Sequence, residues 1–334
     1  MTTPRQARVY RGTVRNLAFL ARRLQQGDVV AVPTETVYGL AANALDARAC
    51  AKIFAAKGRP ADDPLIVHIH SLAQLPDLCH PNSAALTLAR QFWPGPLTLV
   101  LPKTDAVPAI VTAGRDSVAV RMPRHPLFRR LLKATGRPLA APSANPFGYI
   151  SPTTAEHVQQ GLGKRIRHIL DGGPAHIGLE STIVDLRDPD RPAVLRPGLI
   201  TAAAIAQALG RKRLPAAPTT STRAQPGPQV APGLLARHYS PRTPVVLHKR
   251  IRQSAAAVNE AGAAWVFQQR PKGKAGANIF WLDPRGRLPG VARRLFGLLR
   301  RLDAMKLTCI HVELARGGGL ADAINDRLRR AAAR

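Results

Sequence analysis

Short apolar runs that end in polar clusters recur through the first 210 residues, with amphipathic stretches between them. Val29-Val30-Ala31-Val32 leads into Pro33-Thr34-Glu35-Thr36, and Leu65-Ile66-Val67-His68-Ile69 sets a histidine among apolar residues. Val118–Arg121, Leu139–Ala141, Thr182–Leu186 and Ala193–Leu195 repeat the form, and Pro96 to Leu101 is again extended. Runs this short, bounded by turn residues, predict buried strands. Between Thr13 and Gln26, Leu17, Phe19, Leu20 and Leu24 fall near helical spacing. Asp46 is placed to cap a helix towards Lys57, and further helices are predicted at Ala84 to Phe92, Leu127–Thr135, Thr154–Gly161 and Ala202–Leu209. Such alternation dictates an α/β fold, a twisted sheet flanked by helices.

The periodicity stops between residues 211 and 244. The stretch RKRLPAAPTTSTRAQPGPQVAPG is rich in Pro, Thr and Ala and predicts a linker. Strand-like runs return at Val245–His248, Ala264–Phe267, Ile279–Leu282 and Leu307–Val312, with helices expected at Arg252–Ala261, Val291–Met305 and Leu320–Ala331. The expected organisation is therefore an α/β unit over residues 1–210, a linker over 211–244 and a smaller α/β domain over 245–334.

Composition narrows the function classes. A hydrophobic fraction of 45% excludes bulk disorder. No run of about 18 apolar residues exists, so no membrane span is expected. Met1-Thr2-Thr3-Pro4-Arg5 lacks the apolar stretch of a secretory leader. Cys50, Cys79 and Cys309 stand far apart, without the spacing of metal or redox sites, as expected of reduced thiols in the cytoplasm. The net charge of +29 predicts attraction to polyanions. Residues 1–210 contribute net +11 and residues 211–334 net +18, so an affinity for RNA would reside mainly in the C-terminal third. With 39 arginines against 10 lysines, a GC-rich genome would also account for part of the excess.

The standard nucleotide and hydrolase fingerprints are missing: no Walker A sequence, no GxGxxG after a strand, no GxSxG and no HExxH. Gly317-Gly318-Gly319 before a helix reads as a hinge. What remains is a set of polar clusters at strand ends, where α/β sheets commonly bind ligands. Thr34-Glu35-Thr36 could recognise an amine-bearing small molecule, or simply cap the next segment. Lys57-Gly58-Arg59 offers two cations to phosphate oxygens, or completes a basic helix terminus. Ser143-Ala144-Asn145 supplies neutral hydrogen bonds or a tight turn, and His68 alone reads as structural. Arg121 and Arg196 at strand ends are costly to desolvate without an anionic partner. Together the clusters point to an anionic nucleotide in a cleft.

Taken in order, VPTETVYGL (32–40), KGRP (57–60), PLIVHI (64–69), WPGPLTLVL (93–101), VAVRMP (118–123), APSAN (141–145), SPTTAEHV (151–158), ESTIVD (180–185) and LRPG (195–198) resemble the YrdC family of threonylcarbamoyl-adenylate synthases. Lys57-x-Arg59 with Ser143-x-Asn145 is similar to the family's KxR/SxN signature. APGLLARHYSP (231–241) and the C-terminal part resemble its long, two-domain branch. The resemblance implies a twisted open YrdC-like sheet with a concave basic cleft, plus a small Rossmann-like C-terminal α/β domain. It also implies a reaction of L-threonine, bicarbonate and ATP that yields L-threonylcarbamoyl-AMP and pyrophosphate. A separate tRNA threonylcarbamoyltransferase would then use the product.

By that resemblance Thr36, His68, Arg121, Ala141 and Ser181 would hold threonine. Arg59, Asp63, Ser117, Ser143, Ser151 and Arg196 would surround ATP, with Lys57 and Asn145 in the same signature and Tyr239 closing over it from the linker. Mg2+ would ride on the phosphates. Leu234 stands where the family often has methionine, and Tyr149 where arginine is common. Two other readings compete. A basic module that binds tRNA or double-stranded RNA without chemistry would not require VPTETVYG or ESTIVD. A carbamoyl-adenylate enzyme of hydrogenase maturation would carry an acylphosphatase module and cysteine-rich zinc motifs, which three scattered cysteines cannot supply.

Overall fold

The structure is a computed structural model that describes residues 6–214, 229–234, 238–252, 262–272 and 276–333. Ten strands form the larger sheet: β1 (Arg8–Arg11), β2 (Val30–Val32), β3 (Gly39–Asn43), β4 (Ile66–His68), β5 (Leu97–Pro102), β6 (Ser117–Arg121), β7 (Leu139–Ala140), β8 (His168–Asp171), β9 (Thr182–Asp185) and β10 (Ala193–Arg196). Their order is β1-β8-β2-β3-β7-β4-β6-β5-β9-β10, and parallel and antiparallel pairings are mixed. One apolar core contains Leu40, Ile53, Val67, Leu99 and Val120, and another contains Leu20, Leu24, Val30, Phe128 and Leu170. The sheet is thus buried on both faces, and its strands read as near-continuous apolar runs.

Local chemistry sets the helix ends that matter for the site. Asp46 accepts hydrogen bonds from the amides of Arg48 and Ala49 and starts the helix Ala47–Lys57. Gly58 stops that helix at a φ of 63°, where a side chain would be strained. The turn sends Lys57 and Arg59 in separate directions. Thr154 likewise caps the helix Ala155–Leu162 by accepting from the amide of His157.

Strands β1, β3 and β8 were not expected from the sequence. Strand β3, Gly-Leu-Ala-Ala-Asn, is built largely of residues depleted in strands, and only its pairing with β2 and β7 makes it one. The short helices Leu75–Leu78 and Ala109–Thr112 were also unforeseen, each being a single turn.

A second sheet is wholly parallel: β11 (Val245–His248), β12 (Ala263–Gln269), β13 (Ile279–Asp283) and β14 (Cys309–Glu313), in the order β11-β14-β12-β13. Helices Leu288–Ala304 and Leu320–Ala332 pack on it. The helix expected at Arg252–Ala261 lies almost entirely outside the described residues. The core of this unit is not private. Leu295, Phe296, Leu299, Ile324 and Leu328 cluster with Val37, Ile150, Leu179 and Tyr239 from the first unit and the linker. The smaller unit therefore packs against the face on which the polar clusters converge.

Candidate active site

Strand register assembles the site. His68 and Arg121 are directly paired across parallel β4 and β6, so one histidine and one arginine stand side by side. Arg121 donates from Nη2 to Glu35 Oε1 (2.7 Å), from Nη1 to Thr36 Oγ1 (3.0 Å) and from Nε to Gly95 O (3.2 Å). Thr34 Oγ1 donates to Val37 O and accepts from the amides of Thr36 and Val37, so the loop after β2 is locked by its own hydroxyl. The hydroxyls of Thr98 and Ser181 lie 2.8 Å apart. Arg196, at the end of β10, donates to Ser181 O (3.1 Å) and Ser181 Oγ (3.2 Å), and then to Pro232 O in the linker (3.1 Å).

These groups line one cavity of about 40 Å3. Its walls include Thr36, Arg59, His68, Arg121, Ala141, Ser143, Ser181, Arg196 and Tyr239 among the expected residues. Thr34, from the same hydroxyl cluster as Thr36, lies in the wall as well, with Ile66, Glu180, Gly233 and His238, to which the sequence reading gave no role. Five expected residues stand behind the wall. Lys57 Nζ donates to the carbonyls of Ser143 (2.5 Å) and Asn145 (2.6 Å), so it shapes the SxN loop. Asn145 Nδ2 donates to Pro146 O and Tyr149 O within that loop. Asp63 faces Arg59 at 2.9 Å, without the alignment of a hydrogen bond. Ser117 is buried at the start of β6 with no partner for its hydroxyl, and Ser151 donates to Glu180 Oε1 (2.6 Å).

Electrostatics favour an anion. Lys57, Arg59, Arg121 and Arg196 are only 2%, 8%, 3% and 3% exposed. Glu35 balances Arg121 and Asp63 balances Arg59, but every hydrogen bond of Arg196 goes to a neutral oxygen. A buried arginine in this state is costly unless an anion arrives. Burial, and then the Arg59 charge, pushes the Lys57 pKa well down. Burial and Arg121 push His68 down to about 3, so its imidazole is neutral near pH 7. Burial alone would raise the Glu35 carboxyl, but the charge of Arg121 outweighs it and leaves the pKa below the usual value.

The linker closes the cavity. Tyr239 adopts a φ of 62°, an uncommon conformation for a bulky residue, and is 1% exposed. Its hydroxyl has no hydrogen-bond partner. Gly233 has a φ of 77°, and a Cβ there would lie 2.8 Å from the Tyr239 hydroxyl and 2.9 Å from Arg196 Nη1. Only glycine lets the linker come this close. Among the described residues, no three His, Cys, Asp or Glu side chains converge as a metal cage, and no helix is long and apolar enough to cross a membrane.

The Sua5/YciO/YrdC family model, described as telomere recombination, matches residues 22–198. The chain belongs to this family. A second model, described as the C-terminal domain of threonylcarbamoyl-AMP synthase, matches residues 200–333. The threonylcarbamoyl-AMP synthase of Pyrococcus abyssi is 42% identical over 318 residues, which cover 92% of this chain and 91% of that protein. The Bacillus subtilis protein of the same name is 42% identical over 328 residues, covering 95% and 92%. The solved structure of P. abyssi Sua5 complexed with L-threonine superposes with a TM-score of 0.88 at 39% identity, covering 97% of this chain and 96% of that one. E. coli YciO, 23% identical with a TM-score of 0.51, covers 58% of this chain and 96% of its own and shares the fold of the larger unit.

Proposed function

We propose that this chain is an L-threonylcarbamoyladenylate synthase that converts L-threonine, bicarbonate and ATP to L-threonylcarbamoyl-AMP and pyrophosphate. The observation that carries this reading is Arg196, a buried arginine bonded only to neutral oxygens. It bridges the hydroxyl-rich Ser181 wall to the linker. Family membership and the two relatives named as threonylcarbamoyl-AMP synthases support it.

The chemistry asks for two anions held close together. Threonine's amine takes up carbon dioxide from bicarbonate to form a carbamate, with loss of water. A carbamate oxygen attacks the α-phosphorus of ATP, and pyrophosphate leaves. Neutral His68, Thr36, Arg121, Ser181 and the backbone near Ala141 would hold threonine, whose carboxylate suits Arg121. Arg59, Ser143 and Arg196 would meet the nucleotide, with Asp63, Ser117, Ser151, Lys57 and Asn145 behind them. Such placement supplies proximity and fixed charge where phosphate charge develops. Mg2+ would travel with ATP, screening its phosphates, because its hard oxygen ligands are there already.

The division into a synthase unit (1–210), a lid (211–244) and a smaller unit (245–334) follows from this reading. A cavity of about 40 Å3 has room for water, not ATP, for which sites of roughly 300 Å3 and more are usual. ATP therefore enters only after Tyr239 and Gly233 move, and their return excludes water from a labile adenylate. The product would pass to a cytoplasmic tRNA-modifying transferase, and the basic C-terminal third is suited to tRNA contact. The deciding experiment is pyrophosphate release by the purified protein with threonine and bicarbonate omitted in turn. Release that needs both, without tRNA, is expected. Threonine-independent behaviour together with steeply salt-dependent RNA binding would leave an RNA-binding module instead.

A further inference from the structure

Among the described residues, the largest side chain that is fully buried is an arginine outside the synthase unit. Arg327 lies in the helix Leu320–Ala332 of the smaller unit, and its residue exposure is 0%. Its Nε donates to Glu180 Oε2 (2.8 Å), and the other oxygen of Glu180 accepts from Ser151 Oγ (2.6 Å). Its Nη1 donates to Asp326 Oδ2 (2.7 Å), while Nη2 is buried without a hydrogen-bond partner. The guanidinium carbon sits 5.4 Å from the centre of the Tyr239 ring, a cation–π contact in a desolvated setting. The same ring stacks on Phe296 of that unit, with centroids 5.5 Å apart. The linker backbone is held there too, since Arg330 O accepts from the amide of His238 (3.3 Å) and from Ser240 Oγ (3.2 Å).

One residue of the smaller unit thus touches both halves of the cavity wall: Glu180, just before β9, and Tyr239 from the linker. We propose that Arg327 is a positioning residue of the synthase site, fixing the Glu180 carboxylate against Ser151 and the Tyr239 ring over the nucleotide pocket, so that seating of the smaller unit and closure of the linker are a single event. The proposal rests on the synthase reading for what the pocket holds. A residue that only glued the two units together would need no contact with the linker tyrosine. Arg300 shows that simpler role: it donates to the carbonyls of Ile150, Ser151 and His157 and lies over the Tyr149 ring instead.

The test is Arg327→Lys and Arg327→Gln in the full chain, each alone and combined with Tyr239→Ala. Lysine keeps the charge but loses the planar fork that serves Glu180, Asp326 and the ring together. Arg327→Lys is expected to raise the KM for ATP about tenfold and shorten the adenylate lifetime, with the KM for threonine unchanged. In the Tyr239→Ala background the same substitution is expected to have a smaller effect on ATP, because the ring it holds is gone and only the Glu180 contact remains to be lost. A fall in kcat alone, with both KM values and the calorimetric ATP affinity as in wild type, would overturn the proposal. So would an undiminished Arg327→Lys effect in the Tyr239→Ala background. Calorimetric titration with ATP reads the same contact without the reaction. A wild-type protein with no threonine-dependent release would therefore sink the synthase reading, while ATP affinity still decides Arg327.

Discussion

Glu35 offers the sharpest test of how the pocket keeps an arginine charged inside the protein. The Glu35–Arg121 pair is 2.7 Å long, and its side chains are 6% and 4% exposed. Glu35→Ala leaves Arg121 facing only Thr36 Oγ1 and Gly95 O, both neutral. Removing one partner of a buried pair in this way costs about 3–5 kcal/mol. Glu35→Gln keeps the shape and an acceptor oxygen but loses the charge, so about 2 kcal/mol is expected, the size of a charge-assisted hydrogen bond. Urea denaturation followed by tryptophan fluorescence measures both losses, and unchanged slopes would show that the native and unfolded ensembles are otherwise the same. On the synthase reading, added threonine would supply a carboxylate where Glu35 was lost, so it should raise the midpoint of Glu35→Ala more than that of wild type. Midpoints of both variants within about 0.5 kcal/mol of wild type, the range of ordinary surface changes, would refute the reasoning.

Two further outcomes follow from the same geometry. Tyr239→Phe removes a hydroxyl that has no partner in the protein, so stability should hold within about 0.5 kcal/mol. ATP affinity should nevertheless fall, and Tyr239→Ala should also release or hydrolyse the adenylate faster; unchanged ATP binding and intermediate lifetime in both would remove Tyr239 from the lid. The folded His68 pKa, about 3, lies below the unfolded value of about 6.5. The unfolded chain therefore takes up this proton first, and the associated stability, complete above about pH 6.5, is lost as the pH falls towards 3. His68→Gln should accordingly lose less stability than wild type between pH 6.5 and 4, and parallel profiles in urea denaturation would show that His68 is not buried as a neutral ring.

Much of the site was legible because strand ends are where polar residues interrupt apolar runs. Thr36, Arg121, Ser143, Ser181 and Arg196 all stand at such interruptions and line the cavity, and so does His68, which on its own residues reads as structural. Lys57 shows the limit of that reading. A lysine beside an arginine looks like a second phosphate ligand, yet its ammonium bonds two carbonyls of the SxN loop and shapes the wall from behind. Strand β3 was hidden because alanine and glycine carry little strand preference, and only pairing with β2 and β7 defines it. Glu180 was visible within ESTIVD, but nothing in those letters shows which cation it meets 147 positions away.

The amino-acid order alone determined the alternation of strand and helix and the polar clusters that mark a ligand site, while residues 215–228 and 235–237 of the expected linker lie outside the described residues. Those properties are local: periodicity, turn chemistry and the desolvation cost of each side chain are set within a few residues. Tertiary structure decided the rest. It placed His68 beside Arg121 through β-sheet register and brought Gly233 within reach of Arg196 and Tyr239. It also made a smaller unit with an ordinary amphipathic helix the owner of Arg327, which nothing in the sequence sets apart from Arg329 and Arg330 beside it. Contacts of this kind depend on distances between chain segments far apart in sequence, and no local pattern encodes them until the sheets are closed and packed.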